Sequence, residues 1–220
     1  MQIPNSPEKS RLRPYETDVE YLMAEVDWIR VRAERIEATR LLEAQNRVTP
    51  RPGFWRNRVA VVQVSSDTVA SLTAEEASAR QEIDARVAVN RTEGPGLGLD
   101  RLCVEFGLNE VERHIVLLGF VPILGGDQFA DSVCRVDAVT TSSYLSFGLV
   151  SSFMELDPES HLKGLRSLLP DAPLVAKEMI RLTYLPATPS DAVEVGLELS
   201  AKALAMMTAI PQLSGYSSQD

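Results

Sequence analysis

The sequence predicts a mainly α protein with a small β-hairpin near its carboxy-terminal end. Three observations carry this. Residues 99–124, LDRLCVEFGLNEVERHIVLLGFVPIL, read as two helices joined at a glycine. Val19, Leu22, Val26, Ile29, Ala33 and Ile36 alternate spacings of three and four, which places them on one face of a long helix. Residues 179–185 and 192–199 each alternate apolar and polar side chains, the period-two pattern of a strand.

Taken in order, residues 1–13 are polar and punctuated by proline, and are expected to form a flexible arm. Thr17 and Glu20 have the capping-box spacing and open the first helix. Its apolar seam lasts about two and a half heptads. Glu25, Asp27, Arg30, Arg32, Glu34, Arg35 and Glu37 fill the other faces. The seam packs either on the chain's own domain or on another subunit, so Leu22, Val26, Ile29 and Ile36 are candidate interaction residues. Residues 46–58 break the helix with Pro50, Pro52 and Gly53 and carry Arg47, Arg51, Arg56 and Arg58 around Phe54 and Trp55, with no acid. Interleaved bases and aromatics can hold phosphate or stack on nucleobases. A linker of this kind more often touches an acidic protein surface, so Arg51, Trp55, Arg56 and Arg58 join the candidate interaction surface.

Residues 59–64, VAVVQV, are β-branched enough for a short strand. Ser66 or Asp67 could instead cap a short helix through Val69 and Leu72. Thr73 and Glu76 make a second capping box, opening a charged helix with few apolar residues before Ile83 and Val87. The glycines at 94, 96 and 98 are a linker. A phosphate loop needs a preceding strand and a terminal Gly-Lys-Ser/Thr, and neither is present.

In the core region, Leu99, Leu102, Cys103 and Phe106 form one apolar face, and Gly107 ends that helix in the left-handed position that glycine adopts without steric cost. Asn109 caps the next helix, with Glu110 and Glu112 in its first turn. Ile115, Val116, Leu117, Leu118, Phe120 and Val121 then make it apolar on most sides, as a central helix is. The helix is expected to run to Leu124, with Gly125, Gly126 and Asp127 making a turn and cap before a short helix or turn through Phe129 and Val133. Ser142 or Ser143 opens a helix offering Leu145, Leu149, Phe153 and Met154 for burial. Asp157 and Pro158 start another, with Leu162, Leu165, Leu168 and Leu169 as its buried face. The hairpin follows, with residues 187–189 as its tip, and Ser200 caps a last helix carrying Leu204, Met206 and Met207. This order is winged-helix-like. The expected organisation is an arm at 1–13, a helical amino-terminal region at 14–93 with the basic linker 46–58, a winged-helix-like domain at 94–210 and a tail at 211–220.

A formal net charge of −9 argues against generic affinity for nucleic acid or an anionic membrane. The opening residues lack the apolar segment of a signal peptide, so a cytoplasmic protein is expected. Cys103 and Cys134 read as buried free thiols, and His114 as a satisfied helix histidine. No catalytic, cofactor-binding or metal-binding residue is expected: no glycine-flanked serine or paired-histidine motif occurs.

The stretches LCVEFGLNEVERHIVLL, LRSLLPDAPLVAKEMIRL and LELSAKAL resemble the winged-helix region that precedes the ATPase module in bacterial AAA+ ATPases found with phage-tail-like contractile injection systems. Phe106, Gly107 and Leu108 match that family's Phe-Gly-Leu, Glu112 and Arg113 match its acid–base pair, and the helix over 19–42 is similar to its leading helix. The resemblance implies a non-catalytic interaction or regulatory domain that recruits a substrate or adaptor, or arranges subunits. Its partners would be proteins: an AAA+ ATPase module, that module's substrate, or further copies of the chain. The 220 residues hold no Walker A or Walker B motif, so ATP hydrolysis carries over to no residue here. The alternative is an acidic winged-helix transcription regulator that binds DNA through the linker from Arg47 to Arg58. Against it, the third helix of the core, SSYLSFGLVSSFM, has no Lys, Arg, Asn or Gln to reach phosphates or base edges.

Overall fold

The computed structural model describes residues 13–47, 63–94, 96–134, 136, 145–184 and 195–208, with backbone alone for 125–134 and 184. The elements are α1 (Asp18–Arg47), α2 (Ser66–Glu93), α3 (Gly98–Phe106), α4 (Glu110–Cys134), α5 (Phe147–Phe153), α6 (Pro158–Gly164), a 3-10 turn (Leu165–Leu168), α7 (Pro173–Ala176), β1 (Ile180–Tyr184), β2 (Val195–Leu199) and α8 (Ala201–Thr208). A mainly helical chain with one antiparallel hairpin is the winged-helix-like fold that the sequence predicts.

α1 begins where Thr17 Oγ1 accepts from the Glu20 amide at 3.1 Å. The Glu20 carboxylate reaches back to the amide of Glu16 at 2.9 Å, one residue beyond the position in a regular capping box. α2 runs antiparallel to α1, as the cross-helix pairs show: Asn90 meets Tyr15, Arg86 meets Glu20, Arg80 meets Glu25 and Glu76 meets Arg32. The second capping box is not formed. α2 is one continuous helix whose cap is Ser65, accepting from the Thr68 amide at 3.1 Å. Thr73 lies inside it and donates to the Val69 carbonyl at 2.7 Å, the back-bond a hydroxyl makes when its own backbone stays helical. The expected strand at 59–64 falls mostly outside the described residues.

The α3–α4 junction matches the sequence expectation closely. Gly107 sits at φ 62° and ψ 37°, and the Leu108 amide returns to the Cys103 carbonyl at 2.9 Å. Asn109 and Glu112 cap reciprocally: Asn109 Oδ1 accepts from the Glu112 amide at 3.0 Å, and Glu112 Oε2 accepts from the Asn109 amide at 2.9 Å. The six large apolar residues from Ile115 to Val121 are all at most 2% exposed. They put α4 at the centre of a single hydrophobic cluster that also takes in α1, α5, the hairpin and α8. Leu117→Ala should therefore cost about 2–5 kcal/mol. Denaturant unfolding measures it, and a loss below roughly 0.5 kcal/mol would mean α4 is not central.

Three further expectations need correction. α4 does not stop at Leu124 but continues to Cys134, so Gly125, Gly126 and Asp127 lie within the helix rather than in a turn. Pro122 is on the exposed side, while Phe120 and Val121 beside it are buried and hold the helix path through the lost hydrogen bond. α5 is capped by Ser146, which accepts from the Leu149 amide at 3.0 Å, and not by Ser142 or Ser143, which lie outside the described residues. Ser146 also bridges to Gly196 and the Leu145 carbonyl accepts from Leu197, so this segment pairs with β2. The leucines at 162, 165 and 169 face outward. Gly164 lies against Phe147, where a Cβ would come within 2.8 Å of the ring, and buried Ser167 lies one turn on. Small residues take the inward positions, and of the four leucines Leu168 alone stays packed against the core.

The hairpin pairs Ile180 with Leu199 and Tyr184 with Val195. Ile180 and Leu197 are buried, and Leu199 packs against α4 at Gly119, where a Cβ would meet its side chain at 2.7 Å. The hairpin tip at 187–189 is outside the described residues. α8 is capped by Ser200, whose Oγ accepts from Ala203 at 3.2 Å. It closes on α3 so tightly that a Cβ on Gly98 would overlap the Met207 carbonyl. Among the described residues, no helix is long and apolar enough to cross a membrane.

Candidate functional site

The candidate interaction surface divides in two. Leu22, Val26, Ile29 and Ile36 are 1%, 6%, 0% and 3% exposed, inside the chain's own core. They are packing residues here, because α4 and α5 cover the seam from within the same chain. Only Val19, at 50% exposure, falls outside it. Arg51, Trp55, Arg56 and Arg58 lie outside the described residues.

What the structure brings together instead is a buried charge cluster under a groove. Glu25 is completely buried, yet it lies on the same helical face as Leu22 and Ile29. Its carboxylate accepts from Tyr21 Oη at 2.9 Å, from Arg80 Nη1 at 2.9 Å and from Arg113 Nη2 at 2.5 Å. Burial alone would push this acid's pKa up, but the Arg113 and Arg80 charges outweigh it and hold the group below the usual carboxylate range. Glu25 is thus a fixed anion joining α1, α2 and α4. With every approach taken by a donor, it is not poised for proton transfer. The signal was present in the sequence: an acid three residues after Leu22 and four before Ile29 sits on the buried face.

A second charged cluster sits one turn along. Glu76 of α2 receives Arg32 Nη1 at 2.7 Å and Arg35 Nε at 2.5 Å, and Glu155 receives Arg35 as well. Arg32 Nε also donates to the Phe153 carbonyl at 2.8 Å, closing the end of α5 onto α1. Glu155 takes up this position with φ 54°, a left-handed conformation uncommon for a side chain of its size. Between the two clusters lies Trp28, 4% exposed, with the Arg32 and Arg80 guanidiniums 5.5 and 5.1 Å from its ring centroid. Above these groups runs a groove of about 930 Å³, floored by α1 and walled by α2 on one side and by α4 and the end of α5 on the other.

His114 lines the same groove. Its Nδ1 is 2.8 Å from the Glu110 carbonyl, an acceptor, so that nitrogen carries the proton and donates. Burial pushes the imidazole below its ordinary 6.5. The unfolded chain therefore takes up this proton first. The stability it contributes is full above the unfolded value and declines as pH falls through it. Thermal melting from about pH 7.5 down to about 5.5 should show this loss, with a flatter profile for His114→Gln. Identical profiles would remove the histidine's part in it.

Cys103 is a half-buried free thiol whose pKa is raised by burial to about 11, which makes it unreactive at neutral pH. Among the described residues, no group of three or more His, Cys, Asp or Glu side chains could hold a metal ion. α5, within the segment weighed above as a DNA-reading helix, buries Phe147, Leu149, Val150, Ser151 and Phe153. Little of it is left to enter a groove of DNA.

Comparison with known families adds one finding. A family model described as "Winged helix domain, variant" matches residues 4–211. No curated protein and no solved structure matches the chain.

Proposed function

The chain belongs to the winged helix domain, variant, family, and from that premise we propose that it is a non-catalytic protein-interaction domain of an AAA+ ATPase-type remodelling machine. In this role it recruits a substrate or adaptor, or arranges subunits, and leaves ATP hydrolysis to a separate module. The observation that favours protein over DNA is the burial of α5. A recognition helix reads DNA through exposed cationic or amide side chains, and α5 has none and faces the core. The resemblance of Phe106–Leu108 and of the Glu112–Arg113 pair to the AAA+-associated family supports the finer assignment. In this structure those residues are capping and core groups: Glu112 closes the α4 cap and Arg113 holds Glu25.

Cross-linking of the tagged chain in its native host, followed by mass spectrometry, tests the reading. The expected result is an AAA+ ATPase, covalently continuous or separate, among the reproducible cross-links. Absence of any such ATPase, together with duplex DNA binding that weakens steeply with salt, would overturn it in favour of the transcription-regulator alternative.

A further inference from the structure

We propose that the outer edge of β1 takes up an extended segment of a partner protein as a further antiparallel strand, in which an aliphatic side chain is followed by an acidic one. The proposal rests on the protein-interaction reading and names the chemistry of the partner.

The register decides which backbone groups are open. Ile180 pairs with Leu199 and Arg181 with Glu198, and the Ser200 amide donates to the Met179 carbonyl at 2.9 Å. In an antiparallel ladder, residues that exchange bonds with the neighbouring strand alternate with residues that do not. The N–H and C=O groups of Arg181 and Thr183 therefore point to β2, and those of Ile180, Leu182 and Tyr184 point away from it. β2 shows the same alternation on its far side, where the Leu197 amide donates to the Leu145 carbonyl at 2.8 Å. The sheet thus ends at β1. Among the described residues, nothing bonds to the N–H or C=O of Leu182. The strand, IRLTY, has no proline, and its pairing with β2 runs without a bulge. Of the devices that blunt an edge it keeps only its shortness and one charge, Arg181.

An open main-chain edge fixes the form of its ligand: extended backbone, whose N–H and C=O groups recur at the strand repeat. Side chains fix the rest. Leu182 is half-buried against the core, and an aliphatic residue opposite it extends that apolar face. Arg181 is on the other face and exposed. It makes no hydrogen bond or ion pair among the described residues, although Glu198 is its neighbour on β2. On an added strand the residue opposite Arg181 belongs to a non-hydrogen-bonded pair, the closer kind, with Cα atoms about 4.5 Å apart. An acid there meets the guanidinium, and in an antiparallel strand it directly follows the residue opposite Leu182. A second copy of β1 fits less well. Paired about Leu182, it sets Arg181 opposite Thr183 and offers neither arginine an acid.

Hydrogen exchange read residue by residue on the whole chain tests this, with short random peptides selected on it by phage display as the probe. In the free chain the Leu182 amide should exchange faster than those of Arg181 and Thr183. The selected peptides should share an aliphatic residue followed by Asp or Glu, and should protect the Leu182 amide. Methylating the peptide nitrogen that faces the Leu182 carbonyl should weaken binding about tenfold, since it removes a ladder bond and adds bulk. Arg181→Gln should weaken binding about threefold without shifting the melting temperature. Selection on Arg181→Glu should replace the acid by Lys or Arg. A Leu182 amide already protected in the free chain, recovery of no binders, or indifference to both the methylation and the Arg181 substitutions would overturn the proposal. Protection of Leu182 that rises with chain concentration alone would overturn it in favour of self-pairing. Peptides that protect some other surface would also overturn it, yet would leave the protein-interaction reading standing. The cross-linking experiment above judges that reading separately.

Discussion

Ile29→Asp should unfold the chain rather than detach a partner. Ile29 is 0% exposed in the middle of α1, in one cluster with the central residues of α4. The substitution removes an apolar side chain whose burial is worth about 1.5–3 kcal/mol. It also places a carboxylate in an apolar site, where an uncompensated charge costs several kcal/mol more. The sum is comparable to the whole stability of a domain, about 5–15 kcal/mol. Thermal melting with sedimentation separates the outcomes. A variant that melts like the wild type but has lost mass or self-association would show that the seam serves assembly, contrary to its burial within one chain.

Glu25→Ala should be almost as damaging, for the opposite reason. It leaves Arg80 and Arg113 facing each other, and the Tyr21 hydroxyl without its acceptor. Removing one partner of a buried ion pair costs about 3–5 kcal/mol, because the remaining charge is left uncompensated. Since the folded-state pKa of Glu25 is depressed, the same contribution is present above the ordinary carboxylate value of 4.5 and is lost as pH falls below it. Denaturant unfolding of Glu25→Ala at neutral pH should show the full loss. In acid the gap from wild type should narrow, because the wild-type carboxylate is then protonated. A constant gap at all pH values would assign the effect to packing alone.

Much of the fold was legible in the sequence wherever the controlling interactions are local. Gly107 had to end α3 and Asn109 had to open α4, because a left-handed glycine and a side-chain cap are decided within a few residues. The hairpin was legible from its alternation, and the last helix from Ser200. Misreadings arose where two local signals competed or where the inward direction was set elsewhere. Thr73–Glu76 has the spacing of a cap, yet the helix from Ser66 passes through it. Its Glu76 carboxylate is held by Arg32 and Arg35, more than forty residues away in sequence.

By itself the sequence determined the periodicities, the caps at Thr17, Asn109, Asp157 and Ser200, and the apolar centre of α4, since each follows from backbone hydrogen bonding and side-chain spacing along a short stretch. Only the tertiary structure decided which faces turned inward. It buried the α1 seam in its own chain, set Gly164 and Ser167 inside in place of Leu162, Leu165 and Leu169, and brought Glu25 to Arg80 and Arg113. Those outcomes depend on close packing between helices far apart in sequence and on pairing a buried charge, and neither leaves a pattern in a local window.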